Sequence, residues 1–378
     1  MQYLLSVCFA LLLLFTQCAP VPEKKGNLSQ TYSTSNTYYP VLITPPTGKS
    51  VKNVVLMIGD GMSLMHAYTA WVANKGRSNL EKCQAVGLSK TYCLDRLITD
   101  SGAGGTAMAT GQKAKYHTVS VDTLGNPLPT IMDYAAQRGL STGVVVTCRL
   151  YDATPAAFCA HNIDRDNSEM ISSDFVTSGV DFIFGGGSKA FEQRSDNRNL
   201  FNEMRDKGYQ IARSWEEVAS FETGKLLAVV DSFDLPKPAE RGDILARASL
   251  KALESLNKNP NGFVLMIEGS QLDDYGHSND LPLLMEEVMD FDRTVGAVFD
   301  WAAQNGETLV VVTADHETGG LTLIDGNLEK GEVVGTFSTT GHSGVMVPVY
   351  SFGPGADLFT GIFENTDIFH KIKSLLNL

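Results

Sequence analysis

Several positions in this 378-residue chain carry side chains that bind cations or attack esters. Asp315 and His316 stand side by side directly after an apolar run, where a strand ends and the chain turns. Asp273 and His277 lie four apart, a spacing that places both on one face of a helical turn. His342 stands alone among Gly341, Ser343 and Gly344, and Asp60 sits between Gly59 and Gly61 in a turn that frees its carboxylate. Imidazole with carboxylate and no cysteine suits zinc, whereas an oxygen-only set suits magnesium. Two close cations clamp the attacking and leaving oxygens of an in-line displacement. The run Thr99-Asp100-Ser101-Gly102-Ala103-Gly104-Gly105-Thr106-Ala107 is built of small residues that pack closely. It places Ser101 at or near a helix N-terminus, where free N–H groups and the helix dipole favour an anion. Each signal alone has an ordinary alternative, a surface Asp-His pair or a plain N-cap serine, and spacing alone does not choose.

The elements that must position these residues alternate. Short β-rich runs predict strands over Asn53 to Ile58, Thr142 to Thr147, Asp181 to Phe184, Leu226 to Val230, Phe263 to Ile267, Thr308 to Thr313 and Met346 to Phe352. Helical patterns fall over Ser63 to about Lys75, Arg241 to Asn257, Leu281 to Gln304 and Thr366 to Leu376. This order predicts an α/β fold, a large mostly parallel central sheet flanked by helices on both faces. Asp60, Glu268, Asp273, Asp315 and His316 all follow the carboxyl ends of strands. Ligands bind at that edge of open α/β sheets, so residues scattered through the chain would converge there.

Six stretches, in order, resemble alkaline phosphatases. They are Gly59-Asp60-Gly61-Met62; the Asp100-Ser101 run ending Ala109-Thr110-Gly111; Asp152-Ala153-Thr154-Pro155-Ala156-Ala157; Glu268-Gly269-Ser270-Gln271-Leu272-Asp273; Thr313-Ala314-Asp315-His316-Glu317; and Thr340-Gly341-His342-Ser343. The resemblance spans about residues 50 to 377 and implies an alkaline-phosphatase-like fold. It implies Ser101 as the nucleophile of a phosphoserine intermediate. It implies a first zinc site of Asp273, His277 and His342, and a second of Asp60, Asp315 and His316. A magnesium site would use Asp60, Thr154 and Glu268. Arg165, after His161-Asn162-Ile163-Asp164, matches the arginine that grips two phosphate oxygens with its planar fork. A serine hydroxyl needs a metal or base to become a nucleophile. Phosphoryl transfer needs charge neutralisation and in-line positioning above all. His66, His117, His161 and His370 match no ligand position in these motifs, and Trp71, Trp215 and Trp301 read as packing residues.

Composition agrees. The net charge of −13 lacks the clustered basic surface of a nucleic-acid binder and would repel a phosphate ester, so the site needs strong local positive charge. Bound divalent cations supply it and occupy several of the 43 acidic residues. Leu4 to Phe15 is an apolar run of signal-peptide length, so residues 1–19 read as an export signal, although Met1-Gln2-Tyr3 has no basic residue. Export implies a periplasmic or cell-envelope location. Cys18 invites a lipid anchor, but Phe15 and Gln17 depart from the aliphatic and small residues a lipidation box takes. Residues 20–45 read as a polar spacer, and 46–378 as one catalytic domain. Cys83 with Cys93, and Cys148 with Cys159, are pairings an oxidising compartment allows; buried free thiols fit equally.

Two departures stand out. Asp274 follows the zinc-site aspartate where the family often has lysine, histidine or tryptophan, and Asp152 nearby is acidic too. Only residues 317–341 separate His316 from His342, which predicts a compact enzyme without a large crown-type insertion. The family is commonly dimeric, so a homodimer is expected. The leading function is a broad-specificity phosphomonoesterase acting on small phosphate monoesters. A phosphodiesterase or sulfatase-like relative would usually place threonine or a modified cysteine where Ser101 stands. A catalytically silent metal- or phosphate-binding protein would be expected to have lost a ligand or the nucleophile.

Overall fold

The structure is a computed structural model that describes residues 28–46, 48 and 50–378. The export-signal and Cys18 readings therefore lie outside the described residues. Ten strands form the central sheet: β1 (Asn53–Gly59), β2 (Ala85–Lys90), β3 (Ser141–Arg149), β4 (Phe182–Gly186), β5 (Tyr209–Ala212), β6 (Lys225–Val229), β7 (Phe263–Gly269), β8 (Thr308–Thr313), β9 (Val347–Phe352) and β10 (Gly361–Glu364). Their spatial order is β10-β2-β9-β8-β1-β7-β3-β4-β6-β5. Only β9 runs antiparallel to its neighbours.

The central strands are apolar throughout because both faces are covered. Along β1, Val55 and Met57 join a core with Met285, Val288 and Phe291 on one face. Val54, Leu56 and Ile58 join a second core with Met108, Ile131 and Phe158 on the other. Each such buried side chain stabilises the fold by about 1.5–3 kcal/mol relative to exposure. The helices needed below are α1 (Leu64–Ala73), α2 (Ser101–Thr110), α3 (Ala153–Cys159), α4 (Leu272–His277) and α5 (Leu281–Asn305).

Seven expected strands are present with ends shifted by at most a few residues. The central-sheet strands missed from sequence are β2, β5 and β10. The first carries Gly87 in mid-strand, and the other two are four-residue strands at the sheet's two edges, so none shows a long apolar run. The polar-spacer reading is corrected within residues 28–45. Gln30–Ser33 is a strand paired antiparallel with Glu332–Phe337, which also pairs with Leu321–Asn327. Side-chain anchors explain the order: Tyr32 is buried, Gln30 binds Asn279 O and Leu281 N, and Tyr38 Oη donates to Asp292 at 2.5 Å. Those partners lie some 250 residues away, so local composition could not reveal them. Cys83, Cys93, Cys148 and Cys159 are all free thiols, and burial pushes the Cys148 and Cys159 thiols up.

Candidate active site

Strand order brings the scattered residues together. β1 lies between β7 and β8, with Ile58 beside both Glu268 and Thr313. The carboxyl ends of three adjacent strands therefore deliver Asp60, Glu268 and the Asp315-His316 pair to one edge. α4, after β7, adds Asp273 and His277. A two-residue pairing of Glu317–Thr318 with His342–Ser343 sets His342 opposite Thr318. From β3, the chain turns through Asp152 into α3, where Thr154 Oγ1 donates to Asp60 Oδ2 at 3.3 Å.

Two glycines let the backbone close around this edge. Gly61 has φ +71° and sits against Thr318, a conformation L side chains rarely adopt. A Cβ on Gly104 would stand 3.0 Å from the Asp315 carbonyl oxygen, so α2 packs directly on the Asp315 turn.

Ser101 opens α2 and is buried at 2% exposure. Its Oγ lies 3.1 Å from His316 Nε2. The same nitrogen lies 3.2 Å from Asp315 Oδ2 and 3.5 Å from Asp60 Oδ1. Asp60, Asp315 and His316 thus form one convergent donor group, and Asp273, His277 and His342 form a second. The groups adjoin: the His316 and His342 rings stack with centroids 3.6 Å apart, and Thr318 Oγ1 bonds both Asp273 and His316 Nδ1.

The histidine tautomers are set from behind. His277 Nδ1 lies 2.7 Å from Thr340 O, and His342 Nδ1 lies 2.8 Å from Thr99 O. A carbonyl only accepts, so each Nδ1 carries the proton and each Nε2 turns toward the site, the arrangement metal-ligating histidines use.

The electrostatics call for positive charge. Asp60 Oδ1 and Asp315 Oδ2 are buried without a hydrogen-bond partner. Burial, then repulsion from Asp315, Asp273 and Glu268, holds Asp60 well above the usual carboxylate range. Burial, then Asp152 and Asp315, does the same for Glu268. Burial and Asp273 raise Asp315 to about 6. Burial, reinforced by His342, keeps His316 neutral and its lone pair available. Orphaned buried carboxylate oxygens beside the neutral His316 imidazole fit a bound divalent cation. Nitrogen and oxygen donors suit zinc in the two histidine-bearing groups, and the all-oxygen set of Asp60, Thr154 and Glu268 suits a harder ion such as magnesium.

Asp100 joins the start of α2 to Arg165. Its carboxylate accepts from Gly102 N, Ala103 N and His117 N, capping α2, and from Arg165 Nη1 at 2.9 Å. Arg165 Nη2 reaches Asp152 Oδ1 at 3.3 Å, and Asp152 also pairs with Arg149 at 2.9 Å. Asp152 and Asp100 outweigh partial burial and keep Arg165 charged. Asp274 stands exposed beside Asp273. Desolvation, then repulsion from Asp273, Asp234 and Asp152, raises it to about 7.

Every sequence-predicted site residue lies in this cluster or beside it. Sequence reasoning missed four contributors. Thr318 links the two donor groups, and the Thr99 and Thr340 carbonyls orient histidines. His117, read as no ligand, lies 3.4 Å from Asp164 and 3.2 Å from Asp166, and its carbonyl accepts from Arg165 N, so it clasps the arginine loop. Thr318 and Thr340 lie two residues from His316 and His342, a proximity that could have flagged them.

A parallel sheet with acidic and imidazole donors meeting a helix-start serine at its carboxyl edge defines a hydrolase with a cation-binding cleft. Residues 51–335 match the family described as Alkaline phosphatase. The chain is 30% identical to Alkaline phosphatase 4 of Bacillus subtilis (strain 168), over 86% of this chain and 89% of that protein. It is 29% identical to the streptomycin-6-phosphate phosphatase of Streptomyces griseus, over 89% of this chain and 95% of that protein. The alkaline phosphatase from the Antarctic bacterium TAB5 superposes with a TM-score of 0.82 at 35% identity, covering 87% of this chain and 98% of that one. The chain belongs to the alkaline phosphatase family, metal-dependent enzymes that hydrolyse phosphate monoesters.

Proposed function

We propose that this chain hydrolyses phosphate monoesters with broad specificity through a phosphoserine intermediate at Ser101, at a site that takes two zinc ions and one magnesium ion. The observation that carries the reading is the placement of Ser101 Oγ, 3.1 Å from His316 Nε2 at the start of α2 and tied through Asp100 to Arg165. Asp273, His277 and His342 would hold the first zinc ion, Asp60, Asp315 and His316 the second, and Asp60, Thr154 and Glu268 the magnesium ion. Bound there, these ions supply the positive charge that lowers the hydroxyl pKa and neutralises the transferring group.

Arg165 offers a planar fork to two non-bridging oxygens, and Asp100 and Asp152 fix its plane. Asp100 caps the first turn of α2 through Gly102 N and Ala103 N, and the dipole of that helix favours the same anion at its N-terminal end. Ser101 Oγ attacks phosphorus in line, the bond to the ester oxygen breaks, and the alcohol leaves with a proton. Water then attacks phosphoserine, restoring the hydroxyl and releasing inorganic phosphate. Asp274, facing Asp273, Asp234 and Asp152, weakens phosphate retention by repulsion or favours a divalent ion in the third site.

The test is hydrolysis of p-nitrophenyl phosphate at alkaline pH by protein supplied with zinc and magnesium, beside Ser101→Ala and a chelated sample. Turnover lost in both controls supports the reading. Cleavage of a diester or sulfate ester in place of the monoester would transfer it to the phosphodiesterase or sulfatase-like alternative. Export through residues 1–19, a lipid anchor at Cys18 and assembly as a homodimer rest on the sequence pattern and the family. Cell fractionation and light scattering test them.

A further inference from the structure

The cleft has two unlike flanks. Beyond Arg165 lies a cavity of about 320 Å³ walled by Arg149, Tyr151, Asp152, Asp166, Ser168 and Phe233, where charged side chains of both signs disfavour an apolar group. Beyond His277 and His342 lies a cavity of about 510 Å³ whose other walls include Arg96, Leu97, Ile98 and Tyr116. Its surface is mostly apolar, and Leu97 is 77% exposed. The wall is built in advance. Cys93 N donates to Arg96 O at 3.1 Å, Leu94 N to Ala114 O at 2.8 Å, and Tyr116 N to Asp95 Oδ1 at 2.8 Å. The Arg96 guanidinium stacks 3.9 Å above the Tyr116 ring, giving the pocket a flat side.

In-line geometry decides which flank receives the alcohol half of an ester. Ser101 Oγ touches the Asp60, Asp315 and His316 group, and attacking and leaving oxygens of an in-line transfer face opposite ends of a paired cation site. The leaving oxygen therefore faces Asp273, His277 and His342, and whatever it carries enters the Leu97 cavity. We propose that the cavity of Arg96, Leu97, Ile98 and Tyr116 is the leaving-group subsite, selecting phosphate monoesters of apolar, ring-bearing alcohols over those of compact polar ones. This inference rests on the phosphomonoesterase reading above. Such a ring stacks against the Arg96–Tyr116 face and covers Leu97, which water otherwise wets.

The test compares 3-phenylpropyl phosphate with propyl phosphate on metal-replete protein. Both leave as primary alkoxides of similar basicity, so the ratio of kcat/KM reads the pocket rather than bond cleavage. The expected ratio is about tenfold or more in favour of the ring, in the range one hydrophobic pocket delivers. Leu97→Ser should bring that ratio down several-fold; Leu97 is exposed, so the change removes little core packing. A second readout needs no turnover. In titration calorimetry, 3-phenylpropylphosphonate should bind more tightly than propylphosphonate with a more negative heat-capacity change, and Leu97→Ser should shrink both differences. Equal kcat/KM for the two esters, or a preference untouched by Leu97→Ser, overturns the subsite while leaving the monoesterase reading intact. Failure to cleave either ester, with turnover of a diester or sulfate, overturns the reading beneath it.

Discussion

His277 and His342 bring their Nε2 atoms within 3.2 Å of each other while each Nδ1 is committed to a backbone carbonyl. Two imidazole lone pairs so placed repel unless a positive charge sits between them. Asp273 faces the same point, with Oδ2 3.2 Å from His277 Nε2. In the protein alone a proton takes that position: a hydrogen bond to Asp273 raises His277 to about 9 despite partial burial. A divalent cation satisfies all three ligands at once, which a single proton cannot.

Chelation should therefore remove more than activity. Stripping metal leaves buried, mutually repelling carboxylates at the sheet edge, and the melting temperature should fall. Zinc at one hundred times its dissociation constant should restore about 2.7 kcal/mol. Differential scanning calorimetry of stripped and reloaded protein checks this; identical melting curves would contradict a structural contribution from the site.

Arg165→Lys keeps the charge but loses the two-pronged fork and the link to both Asp100 and Asp152. A hydrogen bond between charged groups contributes about 1.5–3 kcal/mol, so kcat/KM should fall about 10- to 150-fold. Inhibition by inorganic phosphate should weaken in parallel. Steady-state kinetics with a phosphate titration measures both effects, and an unchanged inhibition constant would argue that Arg165 does not hold the anion.

Asp100→Asn should destabilise the protein in a pH-dependent way. Burial opposes the Asp100 charge, but Arg165 and the amides of His117 and Ala103 prevail, so its pKa lies below the ordinary 3.8. A depressed folded-state pKa contributes stability above the unfolded value that is lost as pH falls through the folded one. The gap in melting temperature between wild type and Asp100→Asn should be full at pH 6 and should narrow below about pH 4. A constant gap across that range would assign the effect to packing.

Asp274→Lys replaces a carboxylate that crowds Asp273, Asp234 and Asp152 with a cation. Phosphate should bind more tightly, release more slowly and inhibit at lower concentration, and the magnesium requirement should change. Should product inhibition and magnesium dependence both match wild type, Asp274 has no such influence.

How much was legible in the sequence follows from what is local. The apolar runs of β1, β3, β7 and β8 announce themselves because both faces of each strand are buried. Asp60, Glu268, Asp315 and His316 then fall at strand ends by simple adjacency. The six ordered motifs named the family and most of the site residues; Arg165, Asp274 and His277 lie outside the six stretches, close to them in the chain. Hidden from sequence were relationships between distant segments: the docking of Gln30–Ser33 on Glu332–Phe337, the clasp of His117 on the Arg165 loop, and the edge strands with no apolar pattern.

The sequence by itself determined the donor types, the candidate nucleophile and the alternation that commits the chain to a mostly parallel sheet, because residue chemistry and hydrophobic period are properties of short segments. Only the tertiary structure decided that β1 lies between β7 and β8, that Thr99 and Thr340 turn two imidazoles toward one point, and that Arg96 lies on Tyr116 beside them. Those outcomes depend on strand order and on contacts between residues far apart in the chain, which packing of the whole core fixes and no local pattern encodes.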